Sequence, residues 1–247
     1  MLFSTFQFLI TTVLAAVCAR AFSLSGGDIP LLTLIIPALW LLPQGGFAGL
    51  VLLVLLTIYG VTLPYQPIAL SIAVWMFFPL LKVVFSHRSN MGVLAITALI
   101  VVSLELGVMV TQSYGNLAGS APMTLLQTIT VIGVWWATRH WQTSGQHSWW
   151  TLWLVLPLWL ADHHYAVLIS LCMIALFSLL ECLNRSSATF HWNTLLCWTL
   201  PSVGFAALVV VPGSDVPHAA FVVWVSLLGT AWMTDYLLRS LDESEEI

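Results

Sequence analysis

Charge is what this sequence has least of. Lys and Arg together number six and Asp and Glu ten in 247 residues, so 6 % of the chain is charged, against about a quarter in a soluble domain. A water-facing surface cannot be built from so little. No basic cluster points to nucleic acid or to an anionic membrane surface. The net charge of −4 says little about partners, because Asp242, Glu243, Glu245 and Glu246 supply four of the ten acids.

Cysteine is also scarce. Cys18, Cys172, Cys182 and Cys197 sit inside apolar runs without CxxC spacing, which reads as buried thiols rather than a metal or disulfide framework. Long polar stretches are missing too, leaving no room for a soluble catalytic domain. GxSxG, HExxH, a Walker A loop and a GxGxxG in a strand–helix context are all absent. The segment before Leu9 lacks the Lys or Arg of a secretory signal, so residues 3–23 read as a retained helix. A local likeness between the stretches at Phe78 and Phe177 fades within a few residues and marks no repeat.

What the chain has is hydrocarbon: 60 % hydrophobic residues, in runs near the roughly 20 residues that cross a bilayer. In lipid only helices or closed barrels satisfy every backbone group. These runs lack the alternation of a barrel strand. The expected fold is therefore all-α, a polytopic transmembrane helical bundle. It forms a single domain over 1–239, with a disordered acidic cytoplasmic tail at 240–247.

The runs lie at about 3–23, 30–43, 47–63, 68–86, 91–112, 121–138, 148–161, 164–183, 192–211 and 218–238. Runs 30–43 and 148–161 are short, at roughly 21 Å of helix against about 30 Å of hydrocarbon. Each spans alone or merges with its neighbour, giving ten spans or eight. Basic residues collect on the cytoplasmic side. Ten spans with both termini cytoplasmic put Lys82, Arg88, Arg139, Arg185 and Arg239 inside and only Arg20 outside; eight spans divide them four to two. Ten is the better expectation. Trp135, Trp136, Trp149 and Trp150 flank the Arg139 loop and read as an interfacial belt.

Ionisable groups at membrane depth need a reason. Glu181 with Arg185, and Asp235 with Arg239, are spaced i,i+4 and read as structural ion pairs at helix ends. Glu105 lies mid-span without a basic neighbour. It is expected to be neutral, to face the bundle, and to gain close helix approach from Ser103 and Gly107. It reads either as a proton-relay or cation-coordinating group, or as a neutral acid bonded to the next helix. Asp162, His163 and His164 fall between two runs and suit proton exchange or a metal, with His218 and Asp215 on the same expected face. Consecutive helical residues point about 100° apart, however, so a polar turn is the plainer reading. His163, His164 and His218 remain weak metal candidates, and His140 and His147 read as loop residues.

Three functions fit, and the leading one is a small transporter or permease-like protein for a small solute or ion. The others are a non-catalytic membrane subunit that anchors a larger complex, and an intramembrane enzyme acting on a lipid or isoprenoid. Enzymatic activity is the less favoured expectation, and no cofactor is implied. The expected setting is the cell inner membrane, with lipid and a membrane protein or a second copy as partners.

Overall fold

Prolines and glycines divide the apolar runs, and the helices begin and end where those residues dictate. The computed structural model describes residues 2–25, 30–86, 89–140, 149–186, 199, 201–204, 206, 208 and 216–245. Among them every regular element is helical. In chain order these are α1 (Leu2–Leu24), α2 (Leu31–Thr62), a 3₁₀ turn (Leu63–Tyr65), α3 (Ile68–Trp75), α4 (Phe77–Val84), α5 (Met91–Ser113) and α6 (Ala121–His140). A second 3₁₀ stretch (Trp149–Leu154), α7 (Val155–Leu160), α8 (His164–Ser186) and α9 (His218–Glu245) complete the series.

Runs 30–43 and 47–63, expected either to stand alone or to merge, lie end to end as two helices within α2. The element is broken at Gly46, whose φ of 49° and ψ of −134° are not helical. The run at 68–86 is divided at Met76. Pro79 explains the division, because its ring collides with the carbonyl of residue i−4, which is Trp75, the last residue of α3. Pro157 acts in the same way on Trp153, which lies in the 3₁₀ stretch before α7. At the start of α5, Asn90 is extended and its side chain accepts from the Val93 amide at 2.9 Å; such a cap satisfies one orphan amide of the first turn.

Among the described residues three helices are long and apolar enough to cross a membrane: Gly46–Tyr65, Met91–Ser113 and Ala220–Leu238. Ile68–Val84, Thr151–Leu160 and His164–Leu179 are shorter apolar helices. α9 runs as helix through Glu245.

The chain divides into two compact units, with boundaries inside α2 (Val54/Leu55) and inside α6 (Trp135/Trp136). In the first unit α1 packs on α8, and α8 also meets α7 and its 3₁₀ lead-in. Ala21, Leu158, Ala166 and Ile169 are buried there. In the second, α9 packs chiefly on α4 and also on α3 and α5, burying Phe78, Met76, Trp224 and Leu227. Trp135 departs from the expected belt. It is buried and stacks on Phe85 with ring centroids 4.9 Å apart. Trp136 is exposed and pairs with His140 instead, at 4.8 Å.

Candidate functional site: a buried polar core

The second unit holds a polar core that no motif announces. Gln66 follows the Leu63–Tyr65 turn in extended conformation, Gln112 lies near the end of α5, and Thr124 lies in the first turn of α6. All three are buried. Gln66 Nε2 donates to Thr124 Oγ1 at 2.6 Å, Thr124 Oγ1 donates to Gln112 Oε1 at 2.8 Å, and Gln112 Nε2 donates to Gln66 Oε1 at 3.2 Å. Three side chains from three elements thus close a ring of hydrogen bonds. Gln66 Nε2 also donates to the Ser120 carbonyl at 3.2 Å. Burial of amides is costly without partners, and here the amides are one another's partners.

Gln127 lies three positions after Thr124 on α6 and is 0 % exposed. Its Nε2 donates to Thr62 Oγ1 at 3.1 Å and to Ser71 Oγ at 3.0 Å. Thr62 spends its own proton on the Tyr59 carbonyl at 2.7 Å. Thr62 can therefore only accept from Gln127, which fixes the orientation of the amide. Gln127 Oε1 is left buried without a partner. Tyr59 OH donates to the Ser71 carbonyl at 2.7 Å, and its ring meets Trp75 edge-on at 5.1 Å.

Glu105 enters this core from α5, seven residues before Gln112 and so on nearly the same helix face. Thr128 Oγ1 lies 3.3 Å from Glu105 Oε2 and 3.0 Å from the Thr124 carbonyl, so one hydroxyl proton serves two acceptors. A protonated Glu105 would reverse the first bond, donating to Thr128 and freeing the Thr128 proton for Thr124. The Thr124 carbonyl is a backbone group outside the ring, so Thr128 joins Glu105 to the backbone of a ring residue and to none of the ring's own bonds.

Glu105 thus faces α6, but the expected close approach at Ser103 and Gly107 is not found. Ser103 is exposed and bonds back to the Leu99 carbonyl at 2.7 Å, and a Cβ on Gly107 would meet nothing within 4 Å. The tight contact falls on Gly133 of α6 instead, where a Cβ would lie 2.6 Å from Leu55 Cδ1. The sequence does carry a signal for the core. Thr124, Gln127 and Thr128 are spaced i, i+3, i+4, a polar face on an apolar helix.

The Asp-His-His stretch in the first unit is a turn of defined type. Asp162 has φ 63°. The His163 amide donates to the Leu158 carbonyl at 3.2 Å and the Asp162 amide to the Trp159 carbonyl at 3.1 Å. Those bonds form a Schellman motif with Asp162 at the left-handed position that glycine usually takes. The α5 end is built identically, with Gly115 at φ 73°, Asn116 bonded to Thr111 at 3.2 Å and Gly115 to Gln112 at 3.0 Å. Asp162, His163 and His164 are all exposed, and Asp162 Oδ1 lies 3.1 Å from His164 Nε2.

Among the described residues no three His, Cys, Asp or Glu side chains gather as metal ligands. His218 is exposed at the start of α9, whereas Asp215 and His147 lie outside the described residues. The side chains of Glu181, Arg185 and Arg239 also lie outside them, and with them both expected ion pairs.

No family profile, curated protein or solved structure matches this chain.

Proposed function

We propose that this is a multi-pass protein of a cell inner membrane that transports a small cation or hydrogen-bond-donating solute, with Glu105 as the coupling group. The observation that carries the reading is the Thr128 hydroxyl, placed between the Glu105 carboxylate and the Thr124 carbonyl. It joins a titratable group to the backbone of Thr124, whose side chain belongs to the buried ring. The orphaned Gln127 Oε1 adds to it, since a buried acceptor with both amide protons already spent favours a ligand that donates. Intramembrane carboxyls commonly mark ion or proton pathways.

Ten spans with both termini cytoplasmic remain the proposed topology. The bond from Gln66 to Ser120 fits the two passes at 68–86 and 91–112 that separate the 63–67 turn from the 114–120 loop, which the ten-span and eight-span schemes share. The break at Gly46 supports treating the two halves of α2 as separate passes.

The test is reconstitution into liposomes holding a pH-sensitive dye, with gradients of sodium, potassium or lithium chloride imposed in turn and protein-free liposomes as the baseline. At least one gradient is expected to drive a dye response in the wild type, and Glu105→Gln to reduce it tenfold or more. No response to any of the three, or an undiminished response in Glu105→Gln, overturns the reading.

A second reading, a non-catalytic membrane subunit, draws on α5. Ile96, Leu99, Val102, Leu106 and Val110 are all exposed, a face that lipid or a partner helix would cover. Co-purification of a membrane protein at fixed stoichiometry, lost on substituting Leu99 and Val102 by Ser, would favour it.

A further inference from the structure

We infer that the ion Glu105 carries is a proton and not a metal cation, taken up and released on the lipid-exposed side of α5. The inference deepens the transport reading and rests on its choice of Glu105 as the coupling group. Among the described residues the one polar partner of Glu105 is Thr128, whose Oγ1 lies 3.3 Å from Oε2. A metal ion stripped of water needs a shell of oxygens in place of its hydration, and hard divalent cations take about six or more. Here the side chains supply one carboxylate and one hydroxyl. The Thr124 carbonyl beyond them already accepts from Thr128 at 3.0 Å. α5 has no second titratable residue, and α4 and α9 pack against it. Lys82 of α4 and His218, Asp235 and Tyr236 of α9 are not partners of the carboxyl. The oxygens that would hold a metal ion are therefore too few.

A proton needs only one covalent bond and one acceptor, and Thr128 serves both states of the acid. With Glu105 ionised, the Thr128 hydroxyl donates to the carboxylate, a charge-assisted bond. With Glu105 protonated, the carboxyl donates to Thr128 Oγ1, and Thr128 turns its own proton wholly to the Thr124 carbonyl. One hydroxyl rotation accommodates the change, and neither state orphans a donor. The face of α5 supplies the access. Glu105 is half-buried, while Val102 and Leu106 beside it are more than half exposed. Ser103 is exposed, and a Cβ on Gly107 would meet nothing within 4 Å. In a bilayer this side of α5 meets hydrocarbon. A protonated acid is neutral and tolerates that setting. A desolvated metal ion beside a carboxylate does not, because the cost of stripping both of water can exceed their attraction.

The test is labelling of the full-length protein in phosphatidylcholine vesicles with dicyclohexylcarbodiimide, read by peptide mass mapping. The reagent takes the proton of the carboxyl, whose oxygen attacks the central carbon. Transfer of the acyl group to nitrogen then leaves a stable adduct with nothing lost, so labelling reports the protonated acid. Glu105 is expected to be modified at a rate that falls at least fivefold as pH is raised across the range in which the protein stays folded. The rate should not change when choline chloride is replaced by sodium, potassium or lithium chloride. A water-soluble carbodiimide should react at least fivefold more slowly. Thr128→Val removes the donor to the ionised form and should extend labelling to higher pH, while Thr128→Ser should restore the wild-type profile. An unmodified Glu105, a rate independent of pH, protection by any of the three metal cations, equal reactivity toward the two reagents or an unshifted profile in Thr128→Val overturns the proposal. Cation protection with a surviving dye response would sink the proposal and leave the transport reading standing. An absent dye response with proton-dependent, cation-insensitive labelling would do the reverse.

Discussion

A Cβ on Gly119 would run into the side-chain oxygen of Gln66. The same Cβ would lie 3.0 Å from Gln112 Nε2 and 3.0 Å from Pro67 Cδ. Gly119 also has φ 99°, which costs a residue with a side chain on the order of 1–3 kcal/mol. Strain and collision therefore act together on Gly119→Ala, and neither is relieved cheaply, because Gln66 is held by the ring. The expected loss is about 2–4 kcal/mol, read as a fall in melting temperature in detergent. Gly60→Ala and Gly229→Ala are the controls. They are helical and open, with nothing within 4 Å of the added Cβ, and should be neutral or stabilising by about 0.5–1 kcal/mol. Equal melting of Gly119→Ala and the controls would show that the ring does not crowd Gly119.

The ring itself predicts non-additivity. Gln112→Leu removes one member and leaves Gln66 Oε1 buried without its donor, while the Thr124 hydroxyl falls back on the Ser120 carbonyl at 3.4 Å, at about 1–3 kcal/mol. Replacing Gln66, Gln112 and Thr124 together by Leu, Leu and Val removes the orphan as well. The triple variant should thus lose less stability than the sum of its three single variants, by on the order of 0.5–3 kcal/mol. Simple additivity in the thermal unfolding series would mean that the three bonds act independently.

The helical character, the apolar runs long enough to cross a membrane and most helix ends were legible because they rest on local chemistry. Pro64, Pro67, Gly46 and the Asp162 turn each act within a few residues of themselves. The polar face of α6 was legible in the spacing of Thr124, Gln127 and Thr128, but the ring was not, because Gln66 and Gln112 are 46 positions apart and meet only when the 63–67 turn docks against the α5–α6 loop. Trp135 and Trp136 show the same limit. Both suit an interface by composition, and packing alone places one against Phe85 and the other at the surface. Glu105 was legible as an outlier, but its partner was not. Thr128 is an ordinary residue until α5 and α6 lie side by side.

The ten-span scheme makes a labelling pattern. With Cys18, Cys172, Cys182 and Cys197 replaced by Ala, new cysteines at Ser25, Asn116 and Asp162 should all react with a membrane-impermeant maleimide added to whole cells. One at Ser144 should react only after permeabilisation. Merging the short pairs into eight spans puts Ser25 and Asn116 on opposite sides and draws Asp162 into the bilayer. Labelling at Ser25 without labelling at Asn116 would thus rule out ten spans.

Asp162 sits where its backbone favours glycine, so a turn and a functional carboxylate make different predictions for Asp162→Gly. Left-handed geometry costs an L-residue roughly 1–2 kcal/mol, and Asp somewhat less because its short polar chain bonds locally. Glycine removes that strain and loses about 0.5–1 kcal/mol through the freedom it adds to the unfolded chain. The net change in stability should lie between zero and about 1 kcal/mol in favour of Asp162→Gly. The exposed contact with His164 offsets little, since solvent screens it. Asp162→Val should move the other way, because a β-branched residue tolerates this region poorly. If the stretch serves only as a turn, Asp162→Gly leaves cation-driven dye responses at the wild-type level, and zinc shifts the melting temperature of neither protein. A zinc-dependent rise in the wild type that disappears in Asp162→Gly would instead make Asp162 and His164 the start of a metal site, its other ligands still to be found.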